Sequence, residues 1–154
     1  MMLIVNRRQA LTVGAGALAA TALGFSALPA IAETNGFEEL IKQFTGGRAP
    51  VPGRVNLDLP KIADDGASVP ITITVDAPMT EQSYVTDVLV VAEANPKPRV
   101  AVFHFSPASG VAEVSTRIRL AQTENVVAIA KMNDGSVYMA RKEVTVTVGG
   151  CGTS

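Results

Sequence analysis

The stretch VPITITVDAP, residues 69–78, puts Val69, Ile71, Ile73 and Val75 on one side of an extended chain and Thr72, Thr74 and Asp76 on the other. Successive side chains of a strand point to opposite faces, so a period of two sorts aliphatic groups toward a core and polar groups toward water. The β-branched Val, Ile and Thr that dominate the stretch suit a pleated surface. Working outward, RVNLDLP (54–60) repeats the alternation with Val55, Leu57 and Leu59. YVTDVLVVAE (84–93) is more continuously apolar, the signature of a strand buried on both faces. After a proline-rich break at NPKP come RVAVFHFSP, VAEVSTRIRLA, NVVAIAKM and SVYMARKEVTVTV. NDGS, residues 133–136, is a hairpin turn signal because Asp and Gly tolerate positive φ. ADDG (63–66) and PASG (107–110) read as similar punctuation. About seven strands with turn residues between them predict an all-β fold, a two-sheet antiparallel sandwich, with a small barrel as the alternative. The chain has no tryptophan and only one cysteine, so "immunoglobulin-like" describes the architecture alone and not an antibody domain.

One segment departs from the period of two. In ETNGFEELIKQFTGG, Phe37, Leu40, Ile41 and Phe44 fall at i, i+3, i+4 and i+7, one stripe of a helix over about 36–45. Asn35 and Glu38 stand at capping-box spacing, and Gly46 and Gly47 supply a left-handed stop. About ten residues do not hold a helix alone in water, so the stripe must pack on its own domain or on a partner subunit.

The first 32 residues belong to none of this. Arg7 and Arg8 precede an uncharged run of Ala, Leu, Gly and Thr that closes on Ala30-Ile31-Ala32, a small-x-small cleavage pattern. The paired arginines resemble a twin-arginine signal, which predicts export to the periplasm and removal of residues 1–32. Gly14, Gly16, Gly24 and Pro29 make the run a poor spanning helix. The remaining sequence divides into a sandwich domain over 33–148 and a glycine-rich arm over 149–154.

Cleavage leaves 122 residues with 11 basic and 14 acidic side chains, since Arg7 and Arg8 are the only charges removed. A slightly acidic domain lacks the basic stripe of a nucleic-acid binder, and nothing in it suggests a membrane surface. Aromatics are 5%, too few for a stacking platform for sugars or bases. The only histidine, His104, lies between Phe103 and Phe105 and reads as a strand-face residue; without neighbouring ligands it makes a poor metal site. Met79, Met132 and Met139 read as packing. Arg117 and Arg119 alternate on one strand face, where they form a solvated surface or grip an anion.

The chain ends VTVTVGGCGTS. Exported chains with structural disulfides carry cysteines in even numbers; a single one points to an intermolecular bond or a reactive thiol. Cys151 sits among Gly149, Gly150 and Gly152. Glycines lack a Cβ, which makes such a backbone flexible and slender, able to enter a narrow channel in another protein. Three residues separate the last alternating strand from the thiol, a reach of roughly 10 Å. An exposed thiol with a pKa near 8.5 is only a few per cent thiolate at neutral pH, so it suits a handle that an external active site deprotonates. Two other readings are an assembly or adhesion module that uses Cys151 for an intermolecular disulfide, and an enzyme that pairs Cys151 with His104.

The tail VTVTVGGCG, the body NPKPRVAVFHFSPASGVAEVSTRIRLAQTENVVAIAKMNDGSVYMARKEV and the twin-arginine start together resemble the SoxY family, the thiol-bearing subunits of the periplasmic SoxYZ sulfur carrier in thiosulfate oxidation. The resemblance implies an immunoglobulin-like sandwich paired with SoxZ. It implies no catalysis by the chain itself and no cofactor, the sulfur intermediates being bound covalently to Cys151. Thiosulfate would be joined to Cys151 by SoxXA, a c-type haem protein; SoxB would release sulfate; SoxCD, where present, would oxidise the remaining sulfane sulfur. Gly149, Gly150 and Gly152 would form the arm that enters each partner. The family tail commonly ends Gly-Gly-Cys-Gly-Gly, whereas Thr153 and Ser154 follow Gly152 here.

Overall fold

A computed structural model describes residues 36–150. The expected signal, with Arg7, Arg8, Ala30 and Ala32, and the tail from Cys151 and Gly152 to Ser154 lie outside the described residues. The described elements are α1 (Phe37–Thr45), β1 (Val51–Pro52), β2 (Val55–Asp58), β3 (Ile62–Asp65), β4 (Val69–Val75), β5 (Val85–Ala92), β6 (Arg99–His104), β7 (Ala112–Ile118), β8 (Glu124–Met132) and β9 (Val137–Val148). A 3-10 turn at Pro107–Ser109 lies between β6 and β7.

The expected all-β sandwich is what forms. The stretch with the clean alternation, β4, is the centre of a three-stranded sheet in the order β2-β4-β7, antiparallel throughout. Its register sets Ile73 against Leu57 and Val114, which drives one row of aliphatic side chains inward. The opposite row is polar: the hydroxyls of Thr72 and Ser115 meet at 2.8 Å, and Thr74 Oγ1 donates to Glu113 Oε2 at 3.2 Å. Facing it is a larger sheet in the order β1-β9-β8-β5-β6, with β3 also paired to β9. Val69, Ile71, Ile73, Val88, Val90, Val126, Ala128 and Val144 fill the space between the sheets, each at most 2% exposed.

The continuous apolar run of β5 is explained by its second face. Leu89 and Val91 point away from the sandwich core and join Val127 and Ile129 under α1. Phe37, Leu40, Ile41 and Phe44, the helical stripe, all pack on that patch. The stripe is thus taken up by the chain's own sheet. The helix ends as its glycines predict: Gly46 (φ 64°) and Gly47 (φ 82°) are left-handed, and the Gly47 N–H donates to the Lys42 carbonyl at 2.9 Å. Its start differs from expectation. The cap position is Gly36, with φ 79° and no side-chain bond, so Glu38 falls one residue short of the capping-box position. Asn35 lies outside the described residues.

Two strands were not legible in the pattern. β1 and β3 are short, and both run parallel to β9, an exception to the expected antiparallel arrangement. The ADDG stretch is a correction: Ala63 to Asp65 are paired with β9, and the turn begins only at Gly66. The NDGS turn is as expected. Gly135 has φ 82°, and Asp134 Oδ1 accepts both the Ser136 N–H at 2.8 Å and its hydroxyl at 2.5 Å. Those bonds, the hydroxyl first, hold the Asp134 carboxyl below its ordinary range.

Candidate functional site

The strand that carries the chain toward its cysteine changes partner part-way. β9 pairs antiparallel with β8 from Val137 to Val144, then leaves it and pairs parallel with β3 from Thr145 to Val148. The alternating stretch EVTVTV (143–148) that ends the twelve-residue β9 therefore needs β3 to satisfy its last backbone groups. The Val146 N–H adds a bond to Thr123 Oγ1 at 3.0 Å.

Beyond Val148 the pairing continues through glycines. The Gly66 N–H donates to the Val148 carbonyl at 2.7 Å, the Leu120 N–H to the Gly66 carbonyl at 2.8 Å, and the Gly150 N–H to the Leu120 carbonyl at 2.8 Å. No Cβ fits at these three glycines. One built on Gly149 would lie 2.2 Å from the Ala121 carbonyl oxygen; on Gly150, 2.1 Å from the Ala67 nitrogen and the Gly66 carbonyl carbon; on Gly66, 2.3 Å from the Leu120 carbonyl oxygen. None of the three has positive φ, so close approach and not handedness requires glycine here. Gly149 and Gly150 thus have a reason for being glycine beyond the backbone freedom that the sequence suggests.

The ledge they touch, Leu120–Ala121, is braced from beneath. Glu124, 5% exposed, accepts the N–H groups of Ala94 at 2.7 Å and Asn95 at 3.1 Å on Oε2, and that of Ala121 at 3.2 Å on Oε1. The Asn95 amide donates to the Arg119 carbonyl at 2.8 Å and accepts the Ala121 N–H at 2.8 Å. Burial pushes the Glu124 pKa up, and the backbone donors pull the other way, Ala94 foremost. Neither residue stood out in the sequence. Glu124 precedes the apolar run of β8, and Asn95 sits in a proline-rich loop that reads as an ordinary break.

The other candidates fall elsewhere. His104 ends β6 with its side chain 76% exposed, and its Nδ1 lies 2.5 Å from Asp87 Oδ1. Asp87 is opposite Lys131 on β8, whereas the glycine ledge adjoins the Glu124 end of that strand. The span from Lys131 to Glu124 is about 23 Å at the usual strand rise. His104 thus lies far along the sheet from Gly150, and Cys151, its partner in the enzyme reading, is outside the described residues. Among the described residues no group of three His, Cys, Asp or Glu side chains is placed to hold a metal. Arg117 donates to the carbonyl and hydroxyl of Ser68, and Arg119 is exposed past the end of β7, both as surface side chains. Met79 and Met132 are core residues at 6% and 3% exposure, and Met139 packs beneath the helix. No described helix is long and apolar enough to cross a membrane.

The family model of the sulfur oxidation protein SoxY matches residues 41–151. The chain belongs to the SoxY family. The sulfur carrier protein SoxY from Chlorobium limicola f thiosulfatophilum is 33% identical, with a TM-score of 0.60 over 72% of this chain and 96% of that one. The superoxide reductase (neelaredoxin) of Ignicoccus hospitalis aligns at 17% identity and a TM-score of 0.55, over 61% of this chain and 80% of that one. A putative superoxide reductase from Thermotoga maritima gives 17% and 0.51, over 67% and 89%. At those identities the reductases share the fold alone. No match is found among curated proteins. The stretch matched to SoxY runs through the whole sandwich, past the glycine ledge, and ends on Cys151.

Proposed function

We propose that this SoxY-family chain is a covalent carrier of sulfur intermediates in thiosulfate oxidation, with Cys151 as the attachment point. The observation that supports the reading is the continuity of the SoxY match through the last strand to Cys151. In this reading the thiol is a substrate for partner enzymes and needs no base from its own chain. Loading joins the Cys151 thiolate to the outer sulfur of thiosulfate. The new S–S bond releases two electrons, which a haem protein of the SoxXA type accepts. Hydrolysis by SoxB then cleaves the S–SO3 bond, releasing sulfate and two protons and leaving a persulfide on Cys151. SoxCD, where present, oxidises that sulfane sulfur. The chain itself brings no cofactor to these steps.

SoxZ is the proposed stable partner, and the periplasm the compartment, reached through the Arg7-Arg8 signal with cleavage after Ala32. Gly149, Gly150 and Gly152 form the slender arm that presents the thiol. The test is thiosulfate-dependent sulfate formation in cells that lack the native gene and carry either this chain or Cys151→Ser. Restoration by the first alone is expected. Equal restoration by Cys151→Ser would overturn the carrier reading.

A further inference from the structure

We infer that Gly66, Gly149 and Gly150 form a backbone latch that holds the root of the C-terminal arm against the sandwich, and that the arm works in two lengths, latched and released. The latch is built entirely from described residues. Gly66 bridges two segments, donating to Val148 and accepting from Leu120, and Leu120 in turn accepts from Gly150. A methyl group at any of the three positions would come within 2.3 Å of backbone atoms, so the close approach tolerates no side chain. Backbone atoms cannot swing aside as a flexible side chain would. The ledge is rigid for the same reason, because Asn95 and buried Glu124 fix the Arg119–Ala121 backbone from the other side.

The latch changes reach. With Gly150 bound to Leu120, only one residue step, about 3.6 Å, separates the anchored backbone from position 151. When the Gly149–Gly150 contacts open, the last anchor is Val148, and the reach becomes about 10 Å. One short hydrogen bond and snug backbone packing make an equilibrium that a partner's channel can overcome by binding the extended form. The latch stands on geometry alone; its role in presenting sulfur rests on the carrier reading.

Amide hydrogen exchange on the folded protein, followed by NMR, tests the latch without any sulfur chemistry. The Gly150 amide is expected to exchange at least about tenfold more slowly than in a free peptide. Gly150→Ala, whose methyl cannot seat against Gly66–Ala67, is expected to abolish that protection while the central amides of Val88 and Ile129 stay protected. The same variant is expected to raise the rate at which a bulky maleimide modifies Cys151 by several-fold. A Gly150 amide exchanging at the free-peptide rate in the unaltered protein would overturn the latch, as would protection that survives Gly150→Ala. Neither result bears on whether Cys151 carries sulfur, which Cys151→Ser tests separately.

Discussion

Truncating Glu124 to alanine should cost this fold more than any other single polar change at the Leu120 end. The carboxylate accepts the backbone N–H groups of Ala94, Asn95 and Ala121 at a site that is 5% exposed. Its loss does not orphan Ala121, whose N–H keeps the Asn95 side-chain oxygen at 2.8 Å. The amides of Ala94 and Asn95 lose their carboxylate acceptor, and Asn95 is only 6% exposed. Leaving the Ala94 and Asn95 donors without that acceptor costs about 1–3 kcal/mol each, and removing the buried charge returns part of the sum, so the net loss is about 2–4 kcal/mol. For a domain of this size the melting temperature should fall by about 10 °C. Thermal and urea unfolding followed by circular dichroism measure both quantities. Glu124→Gln keeps an oxygen facing Ala94 and Asn95 and should lose under about 1 kcal/mol at neutral pH. The pH dependence has a definite sign. Burial raises the folded pKa of Glu124 above its ordinary 4.5, so the folded state binds the proton more tightly than the unfolded chain. The contribution of this group to stability is therefore greatest below pH 4.5 and declines as pH rises through the folded pKa. Glu124→Gln should remove that component of the slope. A Glu124→Ala loss below about 0.5 kcal/mol would refute the bracing argument, since an interaction that weak is no more than a surface one.

Three further substitutions probe the helix, the turn and the histidine. Phe37→Ala, which empties the start of the helical stripe over Leu89 and Val91, should cost about 3 kcal/mol or more in unfolding experiments and loosen α1 before the sheets. Gly135→Ala should cost about 1 kcal/mol or more by urea unfolding, because φ is 82° and the added methyl meets the Arg48 guanidinium. His104→Ala should leave stability within about 1 kcal/mol, since the pair it forms with Asp87 is exposed, and should leave loading of Cys151 by thiosulfate unchanged.

The period of two in β2 and β4 is legible because each has one face against the core and one toward solvent. β3 escapes that logic. Four residues long and rich in aspartate, it buries only Ala63 and exists because the far half of β9 has no other neighbour. Such long-range pairing leaves no periodic trace, whereas the ADDG composition signals a turn. The cap of α1 lies one residue from the expected position because a glycine at positive φ can open a helix without a side-chain bond, a choice that propensity does not anticipate. The glycines of the tail are conspicuous in the sequence, but composition gives only their freedom. That Gly149 and Gly150 press on Gly66 and Ala121, both distant in the chain, emerges only from the topology. Asn95 and Glu124 were invisible for the same reason: their significance lies in which backbone amides the fold brings to them.

The most direct test of the carrier account is the intact mass of the protein purified from thiosulfate-grown cells without reductant. The account predicts an adduct of thiosulfonate or added sulfane sulfur that reductant removes and that Cys151→Ser lacks. A bare thiol, or only a disulfide-linked homodimer through Cys151, would contradict it and favour an assembly role for the tail.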